Sequence, residues 1–273
     1  MRLGISTSLW GMNPHEWAEK MSEIGCKAVV FPVDCNADEK LIDEYVREAA
    51  EHELLIAEVG IWRNALDSDL DRRKENLDYS VRQLQLADRI GARCAVNVAG
   101  AFGPRWDGGY RENFGKEAFD ATVSMIREVI DRANPKNTYF TIESMPWMIP
   151  TSPQQYLQLL EAVDRDRFSV HLDIINMINC PERYFFAEEF LQETFSLLGK
   201  DIKSCHLKDI LLLDEYTFRL KECACGEGTF NIGKYLELAD SVDKDMPMII
   251  EHLSSDEAYY NSANYVNQLY NSL

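Results

Sequence analysis

Residues 138 to 173 read TYFTIESMPWMIPTSPQQYLQLLEAVDRDRFSVHLD. The first run, Tyr139–Ile142, consists of β-formers, and so does much of the last, Phe168–Leu172. Between them Pro153–Val163 has helical spacing, opened by Ser152-Pro153 with Gln155, which is a capping residue, a proline at the first helical position and a capping side chain. The segment is therefore strand, helix, strand. Each strand stops on a carboxylate, Glu143 and Asp173, with Pro146 and Trp147 close behind the first. A core-directed carboxylate is costly unless something pairs with it.

The same alternation extends along the whole chain. Strands are predicted at Leu3–Ser8, Ala28–Phe31, Leu55–Val59, Cys94–Asn97, Tyr139–Ile142, Phe168–Leu172, Ile202–His206 and Met248–Glu251. Helices are predicted at Pro14–Ile24, Glu39–His52, Arg72–Ile90, Lys116–Ala133, Pro153–Val163, Arg183–Leu198, Ile232–Val242 and Glu257–Leu269. Asn13-Pro14 with Glu16 repeats the capping device, and Gly25 and Gly91 follow apolar helix ends as C-terminal caps do. Eight βα units without a composition break predict one closed α/β barrel of eight parallel strands, a (β/α)8 TIM barrel, spanning 1–273 as a single domain. The competing open, doubly wound sheet lacks its glycine-rich first turn, because STSLWGMNP has no G-x-G-x-x-G.

Composition narrows the function. The 273 residues carry a net charge of −18, which argues against nucleic acid, where clustered Lys and Arg must meet phosphates, and against an anionic membrane surface. The start, MRLGISTSLW, is too short and polar for a signal peptide, and no apolar run is long enough to span a bilayer. The seven cysteines are scattered and odd in number, which points to a reducing cytoplasm, and the pair Cys223 and Cys225 reads as two loop thiols rather than a zinc site.

Chemistry in such a barrel sits where the strands run out. The fifth strand ends at Glu143, the sixth at Asp173, the seventh at His206 and the eighth at Glu251. Taken singly, Asp173 reads as a helix cap and His206 as a hydrogen-bonded core residue. On four successive strands about 4.8 Å apart, the four side chains can converge on one metal ion. Three carboxylates and one imidazole suit a hard or borderline divalent ion, manganese first, then magnesium or cobalt, with zinc as a further option. Their net charge with the ion suits a neutral polyol or keto sugar, since a phosphate would need a separate basic clamp. Around the metal an aromatic and polar wall is expected. Trp10, Trp62, Trp106 and Trp147 are placed to stack on sugar faces, Lys208 to point the same way as His206 and hold a substrate oxygen or phosphate, or else to pair with Asp173 or Glu251, and Asn97, Asn176 and His252 to support the site, Asn97 and Asn176 also as substrate contacts. Glu227, in the GEG of Gly226–Gly228, reads as part of a turn.

With these residues in hand, the chain resembles the xylose-isomerase-like barrel superfamily, the sugar phosphate isomerase/epimerase group. The matching stretches are LGISTSLW, AEVGIWRNALD, IESMPW, HLDIIN, SCHLKD, GEGTFNIGKYLE and IIEHL, spread over nearly the full chain. The resemblance implies a metal held by Glu143, Asp173, His206 and Glu251, proton transfer by Glu143 and Glu251 as catalytic acid and base, a carbohydrate substrate and a homo-oligomer. Two positions depart from the pattern of free-ketose epimerases. Asn176 stands where they have a histidine, and LKDILLL follows His206 where an arginine is usual. The activity expected is a metal-dependent sugar isomerase or epimerase. The alternative is a lyase or dehydratase acting on a 3-keto-glycoside or inosose through the same site, with a non-catalytic sugar-binding subunit behind both. A DNA-repair endonuclease of this fold would need a histidine-rich zinc cluster, whereas this chain has five histidines in all.

Overall fold

A computed structural model describes residues 1–6 and 11–273 of the chain. In chain order the elements are β1 (Arg2–Ile5), α1 (Pro14–Glu23), β2 (Ala28–Val30), α2 (Glu39–Glu51), β3 (Leu55–Gly60), α3 (Leu70–Ile90), β4 (Cys94–Asn97), α4 (Lys116–Ala133), β5 (Tyr139–Glu143), α5 (Pro153–Val163), β6 (Phe168–Leu172), α6 (Ile174–Met177), α7 (Pro181–Phe185), α8 (Ala187–Leu198), β7 (Ile202–Leu207), β8 (Asp209–Leu212), β9 (Leu220–Cys223), α9 (Ile232–Val242), β10 (Pro247–Ile250) and α10 (Asp256–Tyr270). Eight strands form one parallel sheet in the order β1-β10-β7-β6-β5-β4-β3-β2. At the seam the Lys27 amide donates to the Leu3 carbonyl at 2.7 Å, so the sheet curls into a nearly closed (β/α)8 barrel. The seam needs Gly4, because a Cβ there would lie 2.5 Å from the Ala28 carbonyl oxygen.

The large apolar core lies between the strands and the surrounding helices, while Ala28, Ala57 and Ile249 form a small separate plug. Helix signals in the sequence are realised as local bonds. Asn13 caps α1 with its reciprocal Glu16 bond, Ser152 caps α5 through the Gln155 amide, and Gly91 ends α3 in left-handed backbone at φ 70°. All seven cysteines are free, and no helix among the described residues is long and apolar enough to cross a membrane.

Two predicted elements differ. The helix expected over Arg183–Leu198 is broken at Phe186 (φ −114°, ψ 40°) into α7 and α8. The Arg183 guanidinium donates to Thr151 O, Met177 O and Asn179 Oδ1, which ties the short first piece to neighbouring loops. The loop expected after His206 contains an antiparallel hairpin, β8 with β9. Its base is fixed by buried Asp209, whose carboxylate accepts from the amides of Gly226, Gly228 and Phe230. That carboxylate orders the Gly226–Gly228 turn and leaves Glu227 exposed.

Candidate metal centre

Glu143 is the last residue of β5, Asp173 follows β6, His206 lies near the end of β7, and Glu251 follows β10. Parallel register sets these positions at one rim, and the alternation of side chains turns all four inward. Their ligand atoms lie within 4.8 Å of one another, and all four residues are buried. His206 Nδ1 is the hub, 3.0 Å from Glu251 Oε1, 3.2 Å from Glu143 Oε1 and 3.9 Å from Asp173 Oδ2. Asp173 does two things at once. Its Oδ1 caps α6 by accepting from the Asn176 amide at 3.0 Å, leaving Oδ2 to the centre.

Lys208, two residues beyond His206, is buried and saturated by acids. Its Nζ is 2.6 Å from Asp173 Oδ2, 2.9 Å from Glu251 Oε1 and 3.4 Å from Glu222 Oε1. It therefore serves the carboxylates directly and does not line the open cavity. Asn176 bridges, donating through Nδ2 to Glu143 Oε1 (3.2 Å) with its Oδ1 3.4 Å from Lys208 Nζ.

This wiring sets the charges. Burial pushes Glu143 up to about 7, opposed by His206 and assisted by the neighbouring acids Glu251 and Asp173. Burial would also raise Asp173 and Glu251, but Lys208 and His206 outweigh it and hold both well below the usual carboxylate range. His206 and Lys208 are in turn held above their ordinary values by those acids, against the effect of burial. Without an ion, the site thus pairs one carboxyl raised towards neutrality with two that are ionised.

A layer deeper, Glu58 and His171 complete a set that sequence reasoning missed. Glu58 Oε2 is 3.5 Å from His206 Nε2, and its Oε1 lies 3.6 Å from His171 Nδ1 and accepts from Ser204 Oγ. A carboxylate behind the far nitrogen of a ligand histidine fixes its tautomer and ring direction. His171 is packed edge-on against His206 with ring centroids 4.1 Å apart, and burial first, then His206, lowers it to about 4, so it stays neutral. Both residues carried a signal, a lone Glu in the apolar run LIAEVG and a His two residues before Asp173, hence on the same strand face. Glu222 carried none, because it reaches Lys208 and His252 (Nδ1 to Oε2, 3.0 Å) only through the hairpin fold.

A cavity of about 680 Å3 opens above this centre. Trp62, Trp106, Trp147, Asn176 and His252 line it, as do Glu143, His206 and Glu251. Trp10 lies outside the described residues. Asn97 is not brought to the cavity. It is fully buried, and its amide brackets the Arg63 backbone, accepting from N and donating to O at 3.0 Å each. That clamp shapes the turn after β3, where Trp62 holds left-handed backbone (φ 50°), as His252 does after β10 (φ 60°). Non-glycine residues rarely adopt this conformation, and such strain gathers at functional sites.

The donor set fits a divalent ion. Asp173 Oδ2 and Glu251 Oε1 are buried oxygens with no directed hydrogen bond, only ion pairs, and a cation among oxygens and one imidazole would satisfy them.

Three solved structures carry the same fold. A xylose isomerase-like barrel protein from Mycobacterium smegmatis in complex with magnesium aligns with TM-score 0.70 at 17% identity, over 96% of this chain and 90% of that one. The 3-keto-D-glucoside 4-epimerase of E. coli aligns with TM-score 0.70 at 15% identity, over 98% and 99%. The probable 3-DHS dehydratase AsbF of Bacillus anthracis aligns with TM-score 0.74 at 15% identity, over 98% and 98%. No curated protein matches the sequence. The family model described as "Xylose isomerase-like TIM barrel" matches residues 18–269. That match covers all but the ends of a chain already seen to fold as an eight-stranded parallel barrel with its acids at one rim, and the chain belongs to the xylose isomerase-like TIM barrel family.

Proposed function

We propose that this chain is a divalent-metal-dependent isomerase or epimerase of a keto sugar, with Glu143, Asp173, His206 and Glu251 as ligands and Glu143 and Glu251 as the proton-transferring pair. The observation that carries the reading is the convergence of these four buried side chains from four neighbouring strands, with their ligand atoms within 4.8 Å of one another. The ion, manganese by first choice with magnesium, cobalt or zinc as further options, would acidify the C–H beside a sugar carbonyl.

The chain's own residues do the rest. Glu251, ionised because His206 and Lys208 outweigh burial, accepts the proton. Glu143, on β5, returns one. β5 and β10 are not neighbours in the sheet, so the two carboxyls can flank a substrate on opposite faces, as inversion of a centre requires. Asn176 keeps Glu143 in place, and Trp62 walls the cavity beside His206, ring centroids 6.4 Å apart. The free thiols support a cytoplasmic setting.

A second reading uses the same pair. The same two carboxylates also suit β-elimination, in which the proton that one of them removes from carbon is delivered to the leaving oxygen, giving a lyase or dehydratase on a 3-keto-glycoside or inosose. Incubating the metal-loaded protein in D2O with ketoses, keto-glycosides and inososes separates the two. An epimerase incorporates deuterium with the carbon skeleton intact, and a lyase releases water or an aglycone. Absence of both would refute the proposal.

A further inference from the structure

The cavity lining holds many acids and few bases. Glu58, Asp107, Glu143, Glu222 and Glu251 face it, against His206 and His252. Among the described residues that line it, there is no lysine or arginine. The four residues outside the description are Thr7, Ser8, Leu9 and Trp10, none of them cationic. Lys208 is spent on Asp173, Glu251 and Glu222. Arg105 stands outside the lining, with 63% of its side chain exposed, and pairs with Asp107 at 2.8 Å. Recognition of a phosphate or carboxylate uses a guanidinium fork, an ammonium or a helix N-terminus. The short α6 begins under Asp173, which already caps it.

The outer half of the cavity is built differently. Trp106 and Trp147 line it while remaining 39% and 36% exposed. Trp147 is nonetheless fixed. Its Nε1 donates to Asp107 O at 2.7 Å, its carbonyl accepts from buried Asn113 at 3.0 Å, and Gly109 lies so close that a Cβ would sit 3.3 Å from the indole. Met145, Pro146 and Leu220 add apolar surface. An exposed indole held rigid offers a preformed flat face, and a volume of about 680 Å3 is that of a site for a drug-sized ligand, in the range of about 300–1,000 Å3.

Resting on the function proposed above, we propose that the substrate is an uncharged keto sugar bearing a glycosidic substituent. The keto ring sits at the carboxylate–histidine end. The substituent, a second sugar ring or an aryl group, lies on a separate subsite formed by Trp106 and Trp147. Each offers a flat C–H or π face to the indoles, and neither needs a basic clamp.

The test is a ligand series on the manganese-loaded protein, read by calorimetric binding: methyl 3-keto-glucoside, 4-nitrophenyl 3-keto-glucoside, a 3-keto-disaccharide, fructose and fructose 6-phosphate. The subsite requires the nitrophenyl glycoside or the disaccharide to bind about tenfold tighter than the methyl glycoside, the size of one good aromatic contact. Whichever of the two gains identifies the substituent. Trp106→Ala and Trp147→Ala should each shrink that ratio towards one, and Trp147→Phe should keep part of it. Fructose 6-phosphate should bind no tighter than fructose. Equal affinity across the glycosides, or a preference for the phosphate, overturns the inference while leaving the metal-dependent sugar chemistry standing. No binding by any member overturns both, and the wild-type series decides the matter even if a tryptophan variant fails to fold.

Discussion

Lys208 is the built-in counter-cation of the Asp173 and Glu251 carboxylates, and replacing it with methionine isolates that role. Methionine keeps most of the buried stem and removes only the ammonium. At 2.6 Å from Asp173 and 2.9 Å from Glu251, each attraction is about 6 kcal/mol at an effective dielectric of about 20. Most of that is offset by the desolvation of three buried groups. Breaking a buried pair from one side costs about 3–5 kcal/mol, because the partner is stranded. At about 2–4 °C per kcal/mol for a chain of this size, the metal-free Lys208→Met protein should melt about 6–20 °C below wild type. A bound divalent ion supplies the missing positive charge to the same oxygens, so saturating manganese should close at least half of the gap. Differential scanning calorimetry in EDTA and in excess manganese measures both numbers. An equal deficit in the two conditions would make Lys208 a packing residue only. No deficit in EDTA would mean that Asp173 and Glu251 do not depend on it.

Glu143→Gln and Glu251→Gln keep an oxygen ligand but lose a proton carrier, so deuterium incorporation from D2O should fall by about 10²–10⁴ in each; wild-type rates in either variant would remove that residue from the acid/base pair. Glu58→Gln should weaken metal binding by about 10–100-fold, measured by competition with a chelating dye, and a change below about twofold would sever the link from Glu58 to His206. Glu143, ordinarily near 4.5, is held up to about 7 in the metal-free fold. The folded state therefore binds a proton the unfolded chain has lost, and this contribution to stability is full below about 4.5 and gone as pH rises through about 7. Metal binding displaces that proton, so affinity should climb with pH across the same window, with proton uptake by the buffer seen in calorimetry; a flat profile would contradict the assignment of Glu143 as a ligand.

The barrel was legible because its signals are local and repeated. Runs of β-formers, 3.6-period helices, Asn13 and Ser152 as caps and Gly91 as a stop all act within a few residues of themselves, and β4, α4, α5, β6 and α9 match their predicted bounds. The helix expected over Arg183–Leu198 failed because its break at Phe186 follows tethers from Arg183 to loops about thirty residues away or less, which no local pattern encodes. The four rim residues could be named in advance for the same reason the fold could. A parallel barrel converts a place at the end of a strand into a place around one axis, so register alone brings Glu143, Asp173, His206 and Glu251 together. Tertiary structure decided everything that depends on depth or on a fold-back. It sent Asn97 to clamp the Arg63 backbone rather than to the cavity, gave Lys208 to Asp173 and Glu251, put Glu58 behind His206, and brought Glu222 over the rim on the β8–β9 hairpin. Those partners are chosen by distances between atoms far apart in the chain, and in a low-dielectric interior a shift of an ångström changes which charges survive.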